Sequence, residues 1–530
     1  MNWTQPEITW GPLVPILVVL LAAAAGILVE AFVRTPATRR VVQIGLALAA
    51  LVVALGAAVV QWATQEGSGT VVLNLMLVVD RQSLAWQVML AVFGILTVLL
   101  FAARTRAGEE DFTALGSTPP GSLDETRALR AGLQVTEVFP LALFAVGGMM
   151  LFTAVTDYVF LFVVLELFSL PLYILVALAR RRRSLSHEAA LKYFLLGAFS
   201  SAIYIFGAAL IYGATGQTSF TAVQTAIENL AGHDPLIIAA AVLILVGLLF
   251  KLGAVPFHTW VPDVYQGAPT SVTAFMAAAT KAAAVAALLR VVYSSLYPLE
   301  WELNWLFWTI SIITMILATL IALVQTDMKR MLAYSSVAHA GFILVAFAGF
   351  SPAALSSLPF YMLAYGLATF GAFAVVTQVR ERTADGVVGG EANRLGQWAG
   401  LGKRAPWLAT AMTLFLLSFA GIPLTAGFVG KFVVFRAAID EGAWPLVLVA
   451  VLASGAAAFF YVRIIVLMFF TDVPEDQADL IEIEYSPFTR AVVVFAAVFT
   501  VVLGVFPGPA LAAAEDAGVL LSSLTATVGS

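Results

Sequence analysis

Cysteine is absent from this 530-residue chain. Without thiolates it can hold no disulfide, no iron–sulfur cluster on its own sulfurs and no thiol zinc site. Histidine is nearly as scarce: His187, His233, His258 and His339 are too few and too scattered for a haem site. No GxGxxG or P-loop pattern occurs, so no nucleotide cradle is recognisable. Electrons and nucleotides, if involved, are expected on other chains. Charge is also short, at 11% of residues against about 25% in soluble domains, and no nucleic-acid partner is expected.

What is present is apolar. Hydrophobic residues make up 61% of the chain, in runs longer than the roughly 18 residues that separate spanning helices from core helices. The runs are continuous rather than alternating, which excludes a β-barrel. The expected fold is an all-α polytopic membrane protein of about 14 transmembrane helices. They fall near residues 11–33, 41–62, 82–103, 136–154, 157–179, 188–212, 235–257, 268–296, 303–325, 330–349, 354–379, 406–438, 445–470 and 488–510. The first run follows "MNWTQPEITWG", which lacks a basic segment, so it is expected to be a retained span rather than a signal peptide.

Polar segments divide the chain. Residues 104–134, charged and rich in Pro and Gly, form a soluble insertion; 381–403 make a smaller polar loop and 217–232 an amphipathic stretch. The expected organisation is helices one to three over 1–103, the insertion, helices four to eight over 135–296, helices nine to thirteen over 297–470, and a last helix with its tail over 471–530. Basic residues sit on one side. Arg34, Arg39, Arg40, Arg104, Arg180 to Arg183, Lys329, Arg330, Arg380 and Lys403 all follow odd-numbered spans, whereas connections after even-numbered spans carry none. The positive-inside rule then places those loops in the cytoplasm and both termini on the outer face.

Twenty-one arginines accompany only six lysines, and Lys192, Lys251, Lys281 and Lys431 fall within hydrophobic spans. Guanidinium stays charged, whereas a desolvated ammonium gives up its proton readily. Each charge at a helix centre costs roughly 2.5–3.5 kcal/mol on insertion scales. Lys251 and Lys281 lie where no interface is within easy reach, and this points to a hydrated or paired interior. Lys192, four residues into its span, and Lys431, near an outer end, also admit simple snorkelling to the surface. Glu166, in "VVLELFSLPLYIL", is the clear acid deep within a span. Beside a buried lysine it would gain about 4 kcal/mol at 4 Å and an effective dielectric near 20, as a structural ion pair or as part of a proton path.

Two spans are interrupted, by "FKLGAVPFHTW" in the seventh and "LSFAGIPLTAGFVGKF" in the twelfth. Proline removes a donor and glycine lets the chain turn, so the freed carbonyls must face protein or water. Equivalent breaks five spans apart, running in opposite directions, predict two inverted five-helix repeats with discontinuous helices seven and twelve. His258 follows the first break and His339 lies within span ten; each suits a proton relay or a packed, hydrogen-bonded role.

The segments "FHTWVPDVYQGAPTSVTAFMAAATK", "ELFSLPLY", "TDMKRMLAYSSVAHAG" and "GIPLTAGFVGK" together resemble the antiporter-like membrane subunits of respiratory complex I, the proton-pumping NADH:quinone oxidoreductase, over about residues 75–510. Lys431 stands where M-type members carry glutamate, so the N-type branch is the better likeness. The resemblance implies that Glu166 pairs with Lys251, that Lys192 modulates the pair, and that Lys281, His339 and Lys431 continue a hydrated axis. It implies no cofactor in this chain, with NADH, FMN, iron–sulfur clusters and quinone on partner subunits. M-type and small K/J-type membrane subunits and lipids are the implied partners, in a bacterial inner membrane. A Na⁺/H⁺ antiporter subunit and a non-transporting scaffold are the competing readings. Na⁺ binding would call for more membrane carboxylates than Glu166.

Overall fold

A computed structural model describes residues 9–65, 69–73, 76–105, 108–113, 122–124, 127, 135–229, 235–382, 388–472 and 481–518. Parts of the 104–134 insertion, of the 217–232 and 381–403 segments and of the C-terminal tail lie outside these residues. Helices dominate: α1 (Val14–Phe32), α2 (Pro36–Thr64), α3 (Arg81–Phe101), α4 (Val138–Phe152), α5 (Tyr158–Val176), α6 (Arg183–Thr215) and the short α7 (Phe220–Glu228). There follow α8 (Pro235–Leu252), α9 (Trp260–Gly267), α10 (Thr270–Ser294), α11 (Glu300–Leu323), α12 (Met328–Val345) and α13 (Ala354–Gln378). The last are α14 (Pro406–Ala420), α15 (Ala426–Asp440), α16 (Trp444–Phe470), α17 (Pro487–Val505) and α18 (Gly508–Gly518).

Local chemistry sets the ends of these helices. Asp80, Asp157, Ser219 and Asp327 accept backbone N–H bonds at the starts of α3, α5, α7 and α12, relieving donors that helix geometry leaves unpaired. Pro36, Pro406 and Pro487 occupy first positions, where a missing N–H costs nothing. Between the caps the runs of Leu, Val, Ala and Phe satisfy their backbone internally, as lipid demands.

Among the described residues, 11 helices are long and apolar enough to cross a membrane. Fourteen crossings would also require α4, α12 and the α14–α15 pair. The sequence reads 406–438 as one interrupted span, and the structure makes it two helices of 15 residues each. Packing is concentric. α10 is buried along its whole apolar length and α13 nearly so, while α2 and α17 bury about a third of theirs and turn the rest outward. The amphipathic stretch after α6 forms α7, which buries Phe220, Val223 and Ile227.

Strands are few. β1 (Thr70–Val72) and β2 (Leu77–Val79) form a hairpin. β3 (Val379–Arg382) pairs antiparallel with β4 (Val388–Glu391) on one side and β5 (Ile481–Ile483) on the other. The second sheet ties the loop after α13 to the approach to α17. The C-terminal α18 is strapped to the opposite end by Asp516, which binds Arg81 at 2.5 Å and the Trp62 indole at 3.0 Å.

The described first part of the insertion is tied into the bundle. Glu110 binds Arg40 and Arg104, the Arg180 amide donates to the Asp111 carbonyl at 2.9 Å, and Phe112 packs edge-on against Phe101. The Arg180–Arg182 guanidiniums are held by Glu109 and Glu381 at 3.0–3.2 Å. Acidic residues of neighbouring loops have taken them.

One ion pair is fully enclosed. Arg290 near the end of α10 grips Asp80 with two bonds of 2.8 and 3.0 Å and donates a third to the Thr153 carbonyl at 2.9 Å. Asp80 also caps α3 through the Ser83 amide at 2.7 Å. Removing one partner of such a pair leaves an uncompensated charge, at a cost of about 3–5 kcal/mol. Arg290→Gln is therefore expected to cut the amount of folded chain in membranes sharply. Asp124→Asn, at an exposed pair, should leave it unchanged; quantitative immunoblotting of solubilised membranes distinguishes the two.

Candidate functional site

Both helix breaks are built by the same turn. α8 closes on Gly253 (φ +78°), with the Gly253 and Ala254 amides donating to the Leu249 carbonyl at 2.9 and 3.1 Å. α14 closes on Gly421 (φ +79°), with the Gly421 and Ile422 amides donating to the Leu417 carbonyl at 3.1 and 3.0 Å. Left-handed glycine is what permits this double bond at a helix C-terminus. Backbone groups freed by the first break find protein partners: the Val255 amide donates to Thr314 Oγ1 at 3.0 Å, and the Trp260 indole donates to the Phe250 carbonyl at 3.0 Å.

Lys251 lies in the last turn of α8 and is 2% exposed. Its ammonium donates to Ser169 Oγ at 2.8 Å and reaches Tyr173 OH at 3.5 Å. Phe168, Tyr173, Tyr193 and Phe250 ring it at 5.5–5.8 Å, a cage that stabilises a cation through the ring quadrupoles. Glu166 does not touch the lysine. Its carboxylate accepts the Ser201 hydroxyl, and Ser169, one turn further along α5, stands at the lysine instead. The pair implied by resemblance is therefore not in direct contact, although Glu166 lies within electrostatic reach of the lysine.

Lys192 is elsewhere. Its side chain is 42% exposed, and the ammonium sits 2.7 Å from both Glu188 and Asp263. Asp263 in turn accepts Arg330 at 2.8 Å, so the network fastens α6, α9 and α12 together. His258, partly exposed in the first break, has a buried Nδ1 with no hydrogen-bond partner and faces Tyr334 at 6.4 Å. It does not join the lysines.

The remaining three residues converge. Lys281 follows a π-helical turn, Met276–Thr280, and donates to the Ser336 carbonyl on α12. π-turns within α-helices gather at functional sites. His339, one turn beyond Ser336, hydrogen-bonds Tyr361 OH through Nδ1 at 2.7 Å and stacks near Tyr365 at 4.8 Å, while its buried Nε2 has no partner. Lys431 reaches back from α15 to the broken end of α14: it donates to the Phe419 and Ala420 carbonyls at 2.8 and 3.2 Å and to Ser454 Oγ at 2.7 Å. Those carbonyls carry the negative end of the helix dipole, a fitting seat for a cation. The His339 ring lies 5.5 Å from Phe419, which places it between the two ammonium seats. A cavity of about 570 Å³ opens beside Lys431, between α14–α15 and α16.

Sequence reading missed the hydroxyls. Ser169, Tyr173, Ser336, Tyr361, Tyr365 and Ser454 seat or bridge the charged groups. Helical spacing offered a signal: Ser169 lies three residues after Glu166, Ser336 three before His339, and Tyr361 and Tyr365 four apart.

Interrupted helices, Lys251, Lys281 and Lys431 buried within the spans, and a histidine between two of them define an antiporter-like, polytopic membrane subunit. Residues 155–456 match the family described as "NADH:quinone oxidoreductase/Mrp antiporter, TM". The NADH-quinone oxidoreductase subunit N of Beutenbergia cavernae is 54% identical, covering 96% of this chain and 98% of its own. Among solved structures, a chain of respiratory complex I from Thermus thermophilus with bound aureothin is 32% identical, with a TM-score of 0.74 over 94% of this chain and 98% of that one. A chain of the Mrp complex from Dietzia sp. DQ12-45-1b reaches 0.79 at 22% identity, over 98% of this chain and 99% of that one, and shares the fold. The chain belongs to the NADH-quinone oxidoreductase subunit N family.

A Cβ added at Gly427 would fall 1.9 Å from the Ser418 carbonyl oxygen, across the second break. Gly427→Ala must therefore open the seat of Lys431, at about the 1–3 kcal/mol typical of overpacking. Gly455→Ala meets nothing within 4 Å. The first is expected to lower the thermal stability of the solubilised complex and the second to leave it unchanged, as read by melting of the assembled band.

Proposed function

We propose that the chain translocates protons in the membrane arm of NADH:quinone oxidoreductase, relaying them along Glu166, Lys251, Lys281, His339 and Lys431. The observation that carries this reading is that Lys251, Lys281 and Lys431 are all buried without a carboxylate in contact, each seated on hydroxyls or carbonyls. A scaffold has no use for three such charges, each costly in an apolar interior. A lysine held by neutral oxygens can lose its proton without leaving a bare counter-ion behind.

In this reading about fourteen helices cross the bacterial inner membrane, with the basic loops in the cytoplasm and both termini outside. Two inverted repeats, 135–296 and 297–470, each supply one broken helix. Lys192 and His258, at the rim, tune access rather than carry the relay. Quinone reduction occurs in partner subunits, among them M-type and small K/J-type membrane chains; with no cysteine, this chain carries no cluster on thiolates of its own. Na⁺/H⁺ exchange is the second reading, favoured by the fold shared with the Mrp chain. A hard cation asks for several oxygen ligands with negative charge, and the relay offers Glu166 alone.

Lys251→Ala tests the proposal. Quinone-coupled proton pumping in membranes is expected to fall severely while the complex assembles normally, in sodium-free and sodium-containing buffer alike. Wild-type pumping stoichiometry in the assembled variant would reduce Lys251 to a structural role, and a strict sodium requirement would favour the exchanger.

A further inference from the structure

The described part of the insertion builds a second cluster of titratable groups, on the face of the basic loops. Asp111 binds Arg380 at 2.7 Å; its side chain is 15% exposed. Glu391, on β4, accepts the Thr270 hydroxyl at 2.7 Å, at the first residue of α10. Lys329, 2% exposed at the start of α12, donates to the Ala268 carbonyl at 2.7 Å. Glu109, held by Arg180 and Arg181, completes the rim. Two cavities of about 20 Å³ flank the cluster, both lined by Glu109, Asp111 and Arg380, and each is large enough for a water molecule.

Enclosed hydroxyls also lie at the start of α10, on α9 and beside Lys281. Ser271 Oγ is fully buried and faces the Asp111 carboxyl without a full hydrogen bond to it. Tyr265 OH is likewise buried and faces Ser336 without a full one. Ser336 accepts Tyr365 OH at 2.8 Å on its hydroxyl and the Lys281 ammonium on its carbonyl. Thr369 Oγ1 is also buried and faces Tyr365 without a full hydrogen bond. Native interiors leave few buried polar atoms unsatisfied, and several in a row mark positions for ordered water. From Ser271 to Lys281 the helix rises only about 15 Å, ten residues at about 1.5 Å each.

The two acids are not equivalent. Burial pushes the Asp111 carboxyl above the usual range, with Arg380 pulling it back and Glu391 adding to the rise. Glu391 resists its burial because Lys329, Arg380 and the Thr270 hydroxyl favour its ionised form, so it lies below that range. Like charges placed together split in this way, and one keeps a proton at higher pH than the other.

Resting on the relay reading above, we infer that Asp111 is the carboxyl that loads protons from the cytoplasmic face, handing them through Ser271, Tyr265, Ser336 and Tyr365, with intervening water, to Lys281. In each transfer the Asp111 carboxylic acid gives up one proton and becomes carboxylate. The neutral Lys281 amine gains one and becomes ammonium, and solvent returns a proton to Asp111. Arg380, Arg180 and Lys329 stabilise the carboxylate between transfers, while Glu391 and Glu109 favour its reprotonation.

The test compares Asp111→Asn, Asp111→Glu, Ser271→Ala and Lys281→Ala in the assembled complex, reading quinone-coupled proton translocation per complex across pH. Asp111→Asn is expected to slow translocation on the order of a hundredfold, the low end for a positioned proton donor, and to flatten the decline with rising pH that deprotonation of Asp111 imposes. Asp111→Glu should restore most of the rate with a displaced pH profile, and Ser271→Ala should fall between. Wild-type rate and pH profile in Asp111→Asn, with Lys281→Ala deficient, overturns the loading site and leaves the relay standing. Wild-type pumping in Lys281→Ala overturns the relay itself. If Asp111→Asn fails to assemble, an unaltered profile in both Ser271→Ala and Asp111→Glu shows that Asp111 only fastens the insertion.

Discussion

An ammonium group cannot be left bare in an apolar interior, and the arrangement of this protein follows from where it finds oxygen for three of them. Regular helices offer little, since every carbonyl in a continuous helix already accepts one hydrogen bond. The chain therefore interrupts two helices at left-handed glycines and places hydroxyl side chains on the helices facing them. Lys431 takes the carbonyls released by its own break, Lys251 takes a serine and an aromatic cage, and Lys281 takes a carbonyl opposite a π-turn. α10, which carries Lys281, is buried along its whole apolar length, and α13, which supplies Tyr361 and Tyr365, nearly so.

Much of the fold was legible. Apolar runs located the helices because lipid forces every span to satisfy its own backbone, and a run of this length has no other stable form. The two breaks were equally visible, since Pro and Gly at such positions have a mechanical meaning wherever they occur. Ends were less so. α6 begins at Arg183 rather than near 188, because arginines there pair with acids from distant loops that no local pattern announces.

For the site, residue type carried the reading and partnership did not. Lysine in a span is conspicuous, and Lys251, Lys281, Lys431 and His339 all lie in the interior. Lys251 is seated on Ser169 and Glu166 on Ser201, contacts between helices that sequence spacing does not encode. Lys192 could not be settled by position alone: its surface network depends on Asp263, 71 residues away and brought close only by packing. Asp111 was hidden for the same reason, its arginine lying 269 residues further along.

The enclosed pair of Asp80 and Arg290 bears on how the chain is made. The two residues are 210 positions apart, so at typical synthesis speeds of 5–20 residues per second the aspartate precedes its partner by roughly 10–40 s. Throughout that interval α3 cannot settle into its final environment without enclosing a lone carboxylate. The enclosure of the aspartate that caps α3 thus depends on a helix made much later: until α10 emerges, Asp80 has no buried cation to answer it.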